Sequence, residues 1–440
     1  MEDNNIFFQE LGINPNDLGD TKTRYSQLGL LYNPFPKSGT TNIRTSTEIL
    51  RHLKPVDETI KKNIAEYLSS TLFAKTGDNK DKFMGATIIG NYGSGKTQLL
   101  MYVKYLLELA STNKEHNVKP YAIYISNPKL RLSELIGSIV AEIGEENFRK
   151  FLWNKVIRKL ETDYKDSLKR AFAISEDIFG IQSDPWHQDN RINYKKFIDA
   201  WYKNFANKAR QKKFQEEIEA YTLVILNGFI NDSAVASYFY KILIEDLGFN
   251  TAWESIIKGE SKHLANKEAN IIKSIINLLY EEGYSHVYVL VDEFEDITRG
   301  RLSKAQVDNY LYSLRTLIDH ERNWTILFAM TEEAFNELEK ASPPLADRIS
   351  RRKIRIFNLA PDQATKMIVN YLNMAREKES DSLSPFDEST IIELVEKTNP
   401  HNPGVARIIL STCFKLIENA VENNLTVIDK DSVLRVFNEK

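Results

Sequence analysis

An octapeptide set between two apolar segments constrains this chain more than any other feature. Gly90-Asn91-Tyr92-Gly93-Ser94-Gly95-Lys96-Thr97 fits the pattern G-x-x-x-x-G-K-[ST]. It follows the apolar run Ala86, Thr87, Ile88, Ile89 and precedes an apolar helical stretch over 99–109. Strand, glycine loop and helix in that order form a cradle for phosphate. Successive N–H groups turn inward around the anion, and a Cβ at the glycines would obstruct the turn or the phosphate. Lys96 then neutralises the β- and γ-phosphates, Thr97 offers its hydroxyl to Mg²⁺, and the start of the following helix adds a favourable field. The nucleotide-binding residues expected are Gly90, Asn91, Tyr92, Gly93, Ser94, Gly95, Lys96, Thr97 and Gln98. A glycine-rich turn without a ligand is the alternative, and the completeness of the pattern argues against it.

A triphosphate site also needs a carboxylate for the metal. Tyr288-Val289-Leu290-Val291-Asp292-Glu293 reads as an apolar strand ending in two acids, so Asp292 can reach the Mg²⁺ shell while Glu293 polarises an attacking water. Such an ending is common by itself. It gains force beside the glycine loop, because ligands of open α/β sheets bind at the carboxyl ends of the strands, where both motifs fall. Glu295 and Asp296 are read as solvating and capping the next helix and are not assigned to catalysis.

Further strands are expected at 121–125, 286–291, 325–329 and 353–357, separated by helical sequence, which implies a parallel sheet covered on both faces. A helix over 56–73 leads into this core. The stretch 130–285 between the second and third strands is far longer than one crossover helix requires. It reads as a mainly helical insertion: Phe148, Leu152, Val156, Leu160, Tyr164, Leu168 and Phe172 recur at four-residue intervals, and Ile271, Ile275, Leu278 and Leu279 share a face before Gly283. After Pro361 helices are expected near 362–378, 387–398 and 404–423. The first sixty residues carry turn signals and read as an arm wrapping the body. The organisation expected is an arm and linker over 1–55, a core in two parts over 56–129 and 286–358, the insertion over 130–285, and a helical lid over 359–440.

Composition excludes several alternatives. Lys and Arg number 58 against 61 Asp and Glu, a net charge of −3, so no global basic excess argues for sequence-independent nucleic-acid binding. Cys413 is the single cysteine, which excludes a disulfide or a cysteine metal cluster within one chain and suits a reducing compartment. The sequence opens Met1-Glu2-Asp3-Asn4-Asn5 without the basic and apolar regions of a secretion signal, and no apolar run approaches a membrane span. A cytoplasmic protein with no membrane attachment is expected.

Taken together these residues resemble the AAA+ ATPases, and within them the origin-recognition and replication-initiator clade and related bacterial phage-defence ATPases such as those of BREX-type systems. The resemblance spans nearly the whole chain. It implies an α/β fold, a P-loop AAA+ core with a parallel five-stranded sheet, here with a long helical insertion and a C-terminal helical lid. It also implies ATP and Mg²⁺ as cofactors, with Thr97 and Asp292 on the metal. Tyr32-Asn33-Pro34-Phe35-Pro36 is similar to the family's linker that bears on adenine. Thr331 matches the sensor-one position, with capping of the following helix as a second reading. In Pro343-Pro344-Leu345-Ala346-Asp347-Arg348-Ile349 the family carries an arginine finger, here Arg348, although Arg351, Arg352 and Arg355 stand close and a solvated cationic edge is the alternative. His401-Asn402-Pro403-Gly404-Val405-Ala406-Arg407 resembles the sensor-two segment; a cation as early in a helix as Arg407 opposes the dipole, and a γ-phosphate would explain it. The catalytic set implied is therefore Lys96, Glu293, Thr331, Arg348 and Arg407.

Two features depart from the family. Its initiators carry a winged helix after the lid, whereas this sequence stops at Lys440 directly after the lid helices, and the insertion is unusual for minimal modules, though the defence relatives tolerate such material. The function expected is an oligomeric ATP-hydrolysing ring or arc that loads, remodels or regulates a DNA-processing or phage-defence partner docking on the insertion. A nucleotide-gated signalling switch of the STAND type is the alternative, disfavoured by Glu293; a small-molecule kinase lacks a visible substrate lid. DNA is a further candidate partner, because Trp201, Tyr202, Phe205 and Phe214 interleave with Lys203, Lys208, Arg210, Lys212 and Lys213. Exposed aromatics there would stack on bases; an aromatic core at helical spacing with solvated lysines is the stronger reading at face value.

Overall fold

Four apolar runs and one alternating charged and apolar segment, the last starting one residue before the expected 353, become five strands, β1 (Ala86–Gly90), β2 (Pro120–Ile125), β3 (His286–Val291), β4 (Thr325–Met330) and β5 (Arg352–Ile356). In the computed structural model, which describes residues 24–39, 51–73, 84–113, 118–172, 183–205, 207–230, 232–246, 248–258, 267–298, 302–320, 324–398 and 403–438, they form one sheet in the order β2-β3-β4-β1-β5. Every pairing is parallel. β1 and β4 are buried along their whole length, as strands covered on both faces must be, while edge strand β5 buries Ile354 and carries its charged residues nearer solvent.

Because successive side chains of a strand face opposite ways, the sheet divides the apolar mass in two. Ile89, Ile123, Val289 and Phe328 pack with the insertion helices. Ile88, Leu290, Leu327 and Ile354 pack with the helices Glu58–Leu72 and Lys96–Thr112 and with the lid. Asp57 starts the first of these helices, its Oδ1 accepting from the amides of Thr59 (2.7 Å) and Ile60 (3.3 Å).

The insertion is helical in its described residues, from Leu132–Ile143 to Lys267–Glu281. A strict spacing of four drifts by about 40° per step on a helix of 3.6 residues per turn. Between Glu145–Lys159 and Lys165–Phe172 the chain absorbs this drift with a π-helical turn, Leu160–Tyr164, whose wider turn holds extra residue. Phe148, Leu152, Val156, Leu160, Leu168 and Phe172 are thereby all buried, and Tyr164 stacks on Tyr221 with centroids 4.1 Å apart.

The aromatics considered for base stacking lie in that core. Trp201 and Phe214 are fully buried and stacked at 4.7 Å, Phe205 is buried beside them, and Phe172 meets Phe214 edge-on at 5.1 Å. Exposed stacking platforms are thus overturned at these three positions, since large rings at helical spacing gain more from burial. Lys203, Lys208, Lys212 and Lys213 are exposed. Arg210 donates to the carbonyl of Phe172 (2.7 Å) and lies over the Phe205 ring.

The lid comprises Pro361–Met374, Glu388–Thr398, Ala406–Glu422 and a short fourth helix, Lys430–Asn438, that the periodicity did not announce. The first ends four residues before the expected 378, where Arg376 turns back to the carbonyls of Ser380, Ser382 and Ser384. Of the expected arm, residues 1–23 and 40–50 lie outside the described residues. The described part docks on the lid: Arg24, Tyr25 and Asn33 all donate to the carboxylate of Glu418. No described helix is long and apolar enough to cross a membrane.

Candidate functional site

The glycine loop leaves β1 at Gly90, where a Cβ would stand 2.5 Å from Ser94 Oγ and 3.1 Å from the Ile356 carbonyl. Only glycine lets the loop close on itself there. Gly95 has open space around it but a φ of +103°, so its backbone is what excludes a side chain as it caps the helix Lys96–Thr112. The amides of Lys96, Thr97 and Gln98 head this helix and have no acceptor within it. Lys96 is buried, and its Nζ donates to the carbonyls of Gly90 (3.0 Å) and Asn91 (3.3 Å), 5.5 Å from the Tyr92 ring centroid.

Parallel pairing of β2 with β3 carries Asp292 to the same place, with its amide donating to the carbonyl of Ile125 at 2.8 Å. Asp292 is buried and accepts from three donors: Thr97 Oγ1 donates to Oδ2 at 2.6 Å, the Tyr124 hydroxyl to the same oxygen at 3.1 Å, and the Glu293 amide to Oδ1 at 2.9 Å. Burial, and then the adjacent Asp292 carboxylate, push the Tyr124 phenol well above its ordinary range, so it stays a donor. Consecutive residues of a strand face opposite ways, yet Asp292 and Glu293 both line the cleft. Glu293 has a φ of +51°, which breaks the alternation at a backbone cost of about 1–2 kcal/mol.

Glu295 is buried and lines the cleft as well, which corrects its reading as a solvated capping residue; burial that no local pattern encodes put it there. Asp296 accepts from Asn127 Nδ2 at 2.5 Å.

The lid closes the opposite wall. Arg407, second residue of Ala406–Glu422, is exposed at the cleft, and its amide donates to the Gly93 carbonyl at 3.0 Å. His401 and Asn402 of the sensor-two segment lie outside the described residues.

The arm reaches this cleft at Gly39, where a Cβ would meet the Arg407 carbonyl at 2.2 Å. Tyr32-Asn33-Pro34-Phe35-Pro36, expected over the base, instead grips the lid. Tyr32 donates to the Met374 carbonyl (2.7 Å), Asn33 to that of Phe414 (3.1 Å), and Phe35 lies between Tyr371 and Phe386. Phe35 is buried against the lid there, while the Tyr32 ring stays exposed. A second cleft beside Gly95 is bordered by residues 52–56, Gln98 and Tyr371, with Gln98 Nε2 donating to the Leu53 carbonyl at 3.3 Å. Burial, then Arg51, holds the His52 imidazole below its ordinary range.

Two expected residues lie elsewhere. Thr331 is buried at the end of β4 and caps Glu332–Ala341, its Oγ1 accepting from the Ala334 amide at 3.2 Å, outside the cleft lining. Arg348, on Pro343–Ile349, makes a bidentate pair with Asp319 (2.6 and 3.1 Å) and donates to the Pro344 carbonyl at 2.9 Å, likewise outside the lining. Arg352 pairs with Glu66 at 2.6 Å, and Arg355 with Glu332 at 2.5 Å. Sequence reasoning did not single out Tyr124 or Gly39 and set Glu295 aside from the site; Tyr124 meets Asp292 through strand pairing, and Gly39 and Glu295 line the cleft through packing of distant segments.

No family model matches this chain. Over 117 residues, 26% of its length, it is 30% identical to an uncharacterized HTH-type transcriptional regulator of Methanocaldococcus jannaschii, and it spans 27% of that relative's length. Among solved structures it is similar to the ORC2 protein of Aeropyrum pernix in its ADPNP-ADP complexes, at 13% identity and a TM-score of 0.48, covering 88% of this chain and 71% of that one. The ORC1 protein of the same organism in complex with DNA aligns at 12% identity and a TM-score of 0.43 over 90% of this chain and 69% of that one. Cdc6p of Pyrobaculum aerophilum aligns at 11% identity and a TM-score of 0.38 over 87% and 68%. The strand order, the glycine loop between β1 and its helix, and the C-terminal helices establish an α/β P-loop fold with a five-stranded parallel sheet and a helical C-terminal region.

Proposed function

We propose that this protein is a Mg²⁺-dependent ATPase of the AAA+ type. The observation that carries the reading is the 2.6 Å hydrogen bond from Thr97 to Asp292, which joins the phosphate loop to the carboxylate at the end of β3. The residues present fit Mg-ATP. Gly93 and Gly95 have positive φ, and the buried Ser94 hydroxyl has no hydrogen-bond partner among the described residues. Gly90 to Gln98 would hold the phosphates, Thr97 and Asp292 the metal, and the cleft along residues 52–56 the base. Bound Mg²⁺ supplies positive charge against the phosphate oxygens. Glu293 orients the attacking water and accepts its proton; Lys96 and Arg407 face the charge that builds on the γ-phosphate; Thr331 acts at sensor one, from the end of β4.

Arg348 acts on a neighbouring subunit's nucleotide, so the working form is a homo-oligomeric ring or arc. Its position outside its own subunit's cleft supports this role. The division into arm (1–55), core (56–129 and 286–358), insertion (130–285) and lid (359–440) follows the same reading. The insertion serves as the docking surface for a DNA-processing or phage-defence partner, and its exposed lysines are the candidate DNA contacts.

Phosphate release with Mg-ATP, together with particle mass in a non-hydrolysable ATP analogue with and without DNA, tests the proposal. Turnover that Lys96→Ala abolishes supports it. Tight Mg-ATP binding without turnover would assign a nucleotide-gated switch of the STAND type instead.

A further inference from the structure

Tyr124 stands 168 positions before Asp292, in a strand that carries no motif. In β2 it pairs with Leu290 of β3, one register step short of the strand end, and its ring is buried among the apolar residues on the P-loop side of the sheet. A phenylalanine would fill that space at lower cost, because a buried hydroxyl must find an acceptor to repay its lost hydration. The acceptor is Asp292 Oδ2, at 3.1 Å. With Thr97 on the same oxygen and the Glu293 amide on Oδ1, the carboxylate is held by three donors from three separate segments, and one acceptor position remains on Oδ1.

We infer that Tyr124 is a positioning residue for the magnesium-bearing carboxylate, orienting Asp292 from the neighbouring strand. Thr97 cannot do this alone, since the same hydroxyl is called on by the metal. Tyr124 has no such second duty: it is buried, outside the cleft lining, on the strand that leads into the insertion. It therefore keeps the orientation of Asp292 while Thr97 engages the metal. Partners of metal-binding carboxylates typically carry about 10–100-fold in metal affinity.

The inference rests on the reading of the cleft as a Mg-nucleotide site, and one titration separates the two. Binding of a fluorescent N-methylanthraniloyl-ADP is followed against Mg²⁺ concentration and, separately, in EDTA. Tyr124→Phe is expected to raise the Mg²⁺ concentration at half-saturation by about tenfold, with affinity in EDTA and the melting temperature close to wild type. Half-saturation unchanged in a folded Tyr124→Phe overturns the positioning role while leaving the nucleotide site intact. A wild-type protein that binds the nucleotide identically with Mg²⁺ and EDTA, or not at all, overturns both. If Tyr124→Phe does not fold, the pair Tyr124→Gln and Tyr124→Met asks the same question by their difference: the amide can donate to Asp292 and the thioether cannot, so equal Mg²⁺ dependence of the two overturns the inference.

Discussion

The amide of Arg407 donates to the carbonyl of Gly93 at 3.0 Å, fastening the first turn of a lid helix to the phosphate loop. The approach is close: a Cβ on Gly93 would stand 3.0 Å from the Arg407 side chain and 3.1 Å from that of Val405. Gly93 also has a φ of +76°. Gly93→Ala should therefore strain the loop and push the lid away together. A cost of about 1–2 kcal/mol corresponds to roughly a tenfold loss of nucleotide affinity, measurable by calorimetry with Mg-ADP. Unchanged affinity would mean that the contact does not couple the lid to the loop.

Lys96 and Glu293 line one cleft yet should fail differently. Lys96→Ala is expected to abolish most nucleotide binding, whereas Glu293→Gln should keep binding and slow hydrolysis by about 10²-fold or more. Thermal shift with Mg-ATP separates the two variants. Wild-type turnover by Glu293→Gln would remove it from the role of base.

Arg348 pairs with Asp319 within its own subunit and lies outside that subunit's cleft lining, so under the proposed function it would act across an interface. Arg348→Ala should leave binding intact and lower turnover by about 10³-fold. Mixed with Lys96→Ala subunits, which keep the finger, it should recover activity at shared interfaces. Mixed oligomers without any recovery would count against action in trans.

Burial of Trp201 and exposure of the nearby lysines make opposite predictions for the insertion. Trp201→Ala should destabilise the protein by about 3–5 kcal/mol, seen as a lowered melting temperature. Replacing Lys208, Arg210, Lys212 and Lys213 by Gln should leave ATP binding unchanged and, where DNA is a partner, weaken DNA binding and flatten its salt dependence. An unaltered slope would reassign this face to a protein partner.

Cys413 lies in the lid core, and burial pushes its thiol above the ordinary range, so little thiolate forms. The native protein should not react with a thiol-specific disulfide reagent near neutral pH, and should release one equivalent after denaturation. Fast native labelling would show that the lid opens readily.

The sequence by itself determined the parts whose information is local. Four apolar runs and one alternating segment placed the strands, the spacing of glycines with Lys96 and Thr97 marked the phosphate loop, and the length of 130–285 declared an insertion, because side-chain periodicity and turn chemistry act over a few residues. Asp292 was legible because it ends a strand. Tertiary structure alone decided how these parts meet. Tyr124 reaches Asp292 only because β2 and β3 pair in register, the arm sits on the lid because Glu418 collects donors from Arg24, Tyr25 and Asn33, and Arg348 is held by a carboxylate on a different helix. Thr331, legible in the sequence as sensor and as cap, accepts from the Ala334 amide in the fold, which leaves its hydroxyl proton able to donate. Contacts between distant segments depend on sheet order and helix packing, which no window of sequence contains.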